Sequence, residues 1–84
     1  MTAALEARLL QAEAALDRRR LEEARRHART VLTRAPESVQ AARAHVLLGD
    51  LAYGDGDEEA VRHHFSEVIR LAPADSREAD LAER

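Results

Sequence analysis

The feature that most constrains this chain is a segment that occurs twice. Glu22 to Pro36 reads EEARRHARTVLTRAP, and Glu58 to Pro73 reads EEAVRHHFSEVIRLAP. At an offset of 36 residues Glu22/Glu58, Glu23/Glu59, Ala24/Ala60, Arg26/Arg62 and His27/His63 coincide. At an offset of 37 Val31/Val68, Ala35/Ala72 and Pro36/Pro73 coincide. A helix-forming stretch repeated at a near-constant period, and closed each time by Ala-Pro, indicates stacked helical units. The change of offset puts one extra residue between His63 and Val68. Either the second copy absorbs it as a π-type bulge or the first turn of that helix is displaced.

Composition agrees with helices. The apolar residues are mostly Ala and Leu, the strongest helix formers. There is one Tyr, one Phe and no Trp. Only three Gly and two Pro are present and β-branched residues are too few for a sheet, so an all-α fold is expected in a single small domain, residues 1–84. The 13 basic residues are all Arg and stand against 16 acidic ones, a net charge of −3. That is a mixed surface and not the signature of a polyanion binder. With no cysteine, disulfides, thiolate metal sites and cysteine nucleophiles are excluded. MTAALEARLLQ lacks the basic start and unbroken apolar core of a signal peptide. No run reaches the ~18–20 apolar residues of a membrane span, and a soluble, cytoplasmic protein is expected.

Apolar periodicity places the helices. Leu5, Leu9, Ala12 and Leu16 form one face of a helix over Thr2 to Asp17, with Thr2 as N-cap and Glu6 in the first turn. Asp17-Arg18-Arg19-Arg20 holds neither Gly nor Pro. A turn is expected there by analogy with Gly54-Asp55-Gly56, and a continuous helix is the alternative. Leu21 to about Arg34 carries the stripe Leu21, Ala24, Ala28, Val31, Leu32, Ala35, and Pro36 stops it. Ser38 is the expected N-cap of a third helix, to Tyr53, burying Ala42, Val46, Leu48, Gly49 and Ala52. Gly54-Asp55-Gly56-Asp57 is the clearest break. Its glycines permit positive φ, and Asp57 can cap the next helix. That helix runs from Glu58 to about Leu71, burying some of Val61, Phe65, Val68, Ile69 and Ala72. Asp75 and Glu78 make a capping-box-like start to a short last helix, Ser76 to Arg84.

Helix, turn, helix, Pro, repeated near every 37 residues, resembles the tetratricopeptide repeat, whose unit is about 34 residues. Leu48-Gly49, Gly56, Phe65 and Pro73 stand at that family's landmark positions without a gap. His45 replaces a common Trp, Ala52 a Tyr (with Tyr53 one place late), and Val61 a small Ala; the first copy has Gln11-Ala12 for Leu-Gly. The resemblance implies an α-solenoid fragment: repeat one about 3–36, repeat two about 39–73, and a capping helix about 76–84. In it, Gly49 lets helices approach and Phe65 fills the space between units. It also implies a concave groove lined by Glu6, Leu9, Glu13, Leu16 and Asp17 from the first copy and by Arg43, Val46, Asp50 and Tyr53 from the second. Arg43 is the single cation in that set. A basic or apolar segment of a protein partner is therefore expected there, and a carboxylate-clamping role is disfavoured.

Other chemistry is thin. Glu59, His63 and Glu67 share a helical face, but no HExxH or completing ligands accompany them. The four histidines therefore read as scaffold or solvated residues, and the acid–His neighbours as ordinary helical pairs. Ser38, Ser66 and Ser76 lack any nucleophile context. Arg18, Arg19, Arg20, Arg25, Arg26 and Arg29 form a basic patch interrupted by Glu22 and Glu23 and without aromatics for base stacking, so nucleic acid is not expected. No enzyme activity, metal or cofactor is expected. The expected function is a non-catalytic peptide- or helix-binding adaptor. The alternative is a self-assembly module forming a homo-oligomer, because about three repeats are generally needed for a stable solenoid. With two and a half, either a homodimer or one end of a longer array fits.

Overall fold

A computed structural model describes residues 2–71. Within them the chain is all-helical: α1 Thr2–Asp17, α2 Leu21–Arg34, α3 Val39–Asp55 and α4 Glu58–Leu71. The last helix expected over Ser76 to Arg84, together with Ala72 and Pro73, lies outside the described residues.

Local chemistry explains each boundary. Asp17 to Arg20 is a turn. Arg20 N–H reaches back to Ala15 O (2.8 Å) and Arg19 N–H to Leu16 O (2.9 Å), with Arg19 left-handed at φ 60°. Thirty-seven residues later Asp57 N–H bonds Ala52 O (3.0 Å) and Gly56 N–H bonds Tyr53 O (3.1 Å), with Gly56 at φ 76°. Both are the paired-bond helix stop that a left-handed residue permits. Gly56 alone supplies the positive φ, so α3 continues through Gly54 to Asp55 and ends two residues later than its apolar pattern indicates. Asp57 caps α4 by accepting from Ala60 N–H (3.1 Å), whereas Arg20 gives α2 no side-chain cap. Pro36 forces Ala35 out of helical geometry (φ −147°, ψ 68°). Ser38 then serves both sides of the junction, donating to Ala35 O (2.7 Å) and accepting from Ala41 N–H (3.0 Å).

Two expectations about α1 fail. Thr2 is inside the helix and not its cap, and no acidic residue lies in the first turn. Glu6 instead reaches across to Arg43, 2.6 Å away.

The register also needs correction. α1 and α3 begin 37 residues apart, as do α2 and α4, and α4 is regular α-helix throughout its described residues. There is no extra residue and so neither a bulge nor a displaced turn. The matches at 36 pair residues that differ in place: Ala24 is fully buried in the core, whereas Ala60, its match in sequence, is not. The spatial counterparts are Ala24/Val61, His27/His64, Ala28/Phe65 and Val31/Val68.

The core lies in the first three helices. Leu9, Ala12 and Ala15 of α1 meet Ala24, Ala28 and Val31 of α2, and Ala44, Leu47, Leu48 and Leu51 of α3 close over them, with Leu5, Leu16 and Leu32 packed at the edge. Four of the six residues joining α1 and α2 are alanines, whereas α3 contributes three leucines and one alanine. Among the described residues α3 touches all three other helices while α4 touches only α3, and no α4 side chain is buried. Val61 and Val68 are half-buried and Phe65 and Ile69 exposed. The inward face expected of α4 therefore lacks a cover on one side. On α3, Leu48, Gly49 and Ala52 are buried as expected; Val46 is not, and Ala41, Ala44, His45, Leu47 and Leu51 are.

Candidate interaction surface

Gly49 is the point on which the second hairpin closes. A Cβ at this position would stand 3.0 Å from Phe65 Cε2 and 3.1 Å from Cζ. The corresponding pair in the first hairpin is Ala12 and Ala28, both fully buried. Volume has moved from α3 to α4, and the ring, too large to be enclosed by one neighbour, is 37% exposed. Phe65 thus works within its own hairpin and not between units as expected.

Along α3, Val46, Gly49 and Tyr53 follow one another at helical spacing on a single stripe. Phe65 lies on Gly49, and Ile69 is one turn further along α4. These side chains make one apolar face on the second hairpin, with Val46 37%, Tyr53 78% and Ile69 79% exposed. Beside it Tyr53 and Val61 border an open depression of about 430 Å³ with Gly56, Asp57, Glu58 and Arg62.

The groove residues named from the sequence divide into two groups. Leu9 is wholly buried and cannot contact a partner, and Leu16 is half-buried against the core. Their counterparts Val46 and Tyr53 are open. This is a correction with a simple cause: α3 covers the first hairpin, and nothing among the described residues does the same for the second. The polar members stay at the surface, where Arg43 binds Glu6 and Glu13 (3.5 Å) of α1. The groove's one cation is thereby neutralised, while Asp17 and Asp50 are exposed without a described ion pair.

The histidines belong to the scaffold. Arg8 Nη1 lies 3.1 Å from His27 Nδ1, and 37 residues on His45 Nδ1 lies 2.9 Å from His64 Nδ1. Each pair joins the two helices of its hairpin at the same place. His63 packs edge-on against both rings of the second pair, with ring centres 5.1 and 6.2 Å away. Among the described residues no group of three or more His or acidic side chains can hold a metal ion. Glu67 is instead held by Arg70, which also grips Glu37 at the start of α3 (2.7 Å to each). Hydrogen bonding to Arg70 holds both carboxyls below their ordinary range and pushes the guanidinium up. The basic patch survives as exposed Arg26, Arg29 and Arg34 around a depression of about 470 Å³ on the outer face of α2. Arg25 is not part of it electrostatically, being paired to Glu22 and to Asp55 (3.2 Å).

Burial lowers the pKa of both His45 and His64, with further lowering from their neighbours (His63 and Arg70 for His45; His45, His63 and Arg29 for His64) and opposition from Glu67 and Asp57. The folded state therefore prefers these rings neutral. Above the ordinary histidine pKa of about 6.5 both states are neutral and this stability is fully present. As pH falls below it, the unfolded chain takes up protons first and stability is lost down to the folded pKa values. Thermal melts should show Tm falling between pH 7 and 5, with a shallower fall for His64→Gln. An equal slope in the two proteins would show that the pair is not responsible.

No protein-family model, curated protein or solved structure matches this chain. None of its described helices is long and apolar enough to cross a membrane.

Proposed function

We propose that this chain is a non-catalytic protein-interaction module of tetratricopeptide kind, which takes a helix or peptide of a partner on the open face of its second hairpin. One observation carries the reading: Val46, Tyr53, Phe65 and Ile69 are exposed at the places where, 37 residues earlier, Leu9, Leu16, Ala28 and Leu32 join one core, and exposed apolar faces on small proteins mark interaction sites. The order of packing supports it, since α3 leans on both helices of the first hairpin as the leading helix of a stacked unit does. The flank of α3 favours an apolar segment with basic residues beside it, because Asp50 is open while Arg43 is neutralised by Glu6 and Glu13. Binding would derive mainly from burying Tyr53 and Ile69.

Selection of amphipathic helical peptides against the protein tests the reading. Bound peptides should perturb the amide resonances of Val46, Tyr53, Phe65 and Ile69. Tyr53→Ala combined with Ile69→Ala should weaken binding at least about tenfold, the loss of a central aromatic or aliphatic anchor. Charge reversal at Asp50 should weaken basic peptides more than neutral ones. Peptides that map to the arginines of α2 instead would overturn the reading.

A further inference from the structure

The internal junction between the two hairpins shows what would cover the open face. In the first hairpin Leu9, Leu16, Ala28 and Leu32 are buried or packed into the core that α3 closes. Thirty-seven residues on, the same places hold Val46, Tyr53, Phe65 and Ile69, all exposed. The converse holds on the other side of the molecule. The residues with which α3 closes that core include Ala44, Leu47 and Leu51. Their counterparts on α1 are Ala7, Leu10 and Ala14, which are exposed, Leu10 by 61%. The molecule forms this junction once inside itself and, among the described residues, carries each of its two halves uncovered at opposite ends.

We infer that a second copy of this chain docks head to tail, the outer face of its α1 seating on the open face of the second hairpin as α3 seats on the first. The inference rests on the docking face proposed above and names its occupant. Charge is mixed at one end. Arg43 sits between Glu6 and Glu13 in the internal junction. In the repeated one, Glu6 of the second copy takes the Arg43 place; it meets Arg43 standing at the Glu6 place, an ion pair of reversed polarity, and Asp50 standing at the Glu13 place, which repels it. At the other end the internal junction is closed by Arg25 and Asp55, whose counterparts are Arg62 and, on the second copy, Arg18. These repel, so association is weak. The contact is heterologous, with different surfaces on the two copies, and can propagate into short rows.

Sedimentation equilibrium of the full chain across a dilution series tests this. Self-association is expected toward the concentrated end of the series, as for small transient interfaces. Leu10→Glu and Ile69→Glu change exposed residues on the two separate faces. Each alone should abolish association, and an equimolar mixture of the two variants should form 1:1 pairs, because each keeps the half the other has lost. Arg18→Asp recreates the internal ion pair across copies and should tighten association about fivefold, the scale of a partly exposed charge pair. A wild-type monomer at every concentration overturns the inference. So does a mixture of the two variants that stays monomeric, which would mark a symmetric contact or cover by residues 72–84 of the same chain. If Leu10→Glu is without effect while Ile69→Glu abolishes binding of a selected helical peptide, the docking face stands and only its occupant is wrong.

Discussion

Gly49→Leu is expected to open the second hairpin. The substituent would start 3.0 Å from the Phe65 ring, a tight contact that the ring must already yield to, and three further carbons would follow it into the α3–α4 contact. Overpacking of this kind costs about 3 kcal/mol. A domain of this size has in total about 4–12 kcal/mol, at 0.05–0.15 kcal/mol per residue. Tm should fall by roughly 12–24 °C, at 4–8 °C per kcal/mol. Two companions separate packing from composition. Gly49→Ala places one methyl against the free end of a half-exposed ring, and replacing a helical glycine returns about 1 kcal/mol, so its Tm should stay near that of the wild type. Phe65→Ala in the Gly49→Leu background removes the obstacle and should recover much of the loss, as the buried Ala12/Ala28 pair of the first hairpin suggests. An unchanged Tm for Gly49→Leu would mean that α4 does not pack on α3 through this contact.

Leu9→Ala should cost nearly as much, about 3 kcal/mol, because it empties a fully enclosed site whose small neighbours cannot collapse into it. Val46→Ala, at the corresponding place on α3, should cost less than about 1 kcal/mol, since the side chain is 37% exposed and its removal leaves no closed cavity. Chemical denaturation of the two variants side by side decides whether these residues, equivalent in sequence, are equivalent in burial. Equal losses would show that the second hairpin is covered as fully as the first.

Much of the architecture could be read from the residues alone, and the reasons are local. Pro36 ends α2 by its effect on Ala35, Ser38 and Asp57 cap the helices that follow them, and three-residue apolar spacing places every helix. None of these signals requires knowledge of a distant residue. What the residues did not show was everything that depends on which face is covered twice. The identities Glu22/Glu58 and His27/His63 suggested a shift of register because surface residues are free to coincide, whereas the packed pairs Ala28/Phe65 and Val31/Val68 all sit 37 apart. Leu9 belongs to the groove set on the family resemblance alone, while its apolar periodicity already puts it on a packed face; neither signal says that both α2 and α3 lie on it. The His45–His64 bond joins residues 19 apart on different helices. Its only sequence trace was the recurrence of a polar pair, Arg8 with His27, one repeat earlier.

The attachment of α4 to a single neighbour bears on how long the molecule lasts. Among the described residues, detaching α4 breaks its contact with α3 and the Arg70–Glu37 pair and leaves the enclosed core of α1, α2 and α3 in place, so this partial opening costs less than global unfolding. A protease that samples the opened form would find its first substrate at this end of the chain. Whatever settles over Tyr53, Phe65 and Ile69 ties α3 and α4 together from outside and closes that exit. Occupancy of the face would then be read by the cell as abundance, with the unaccompanied chain removed and the engaged one retained.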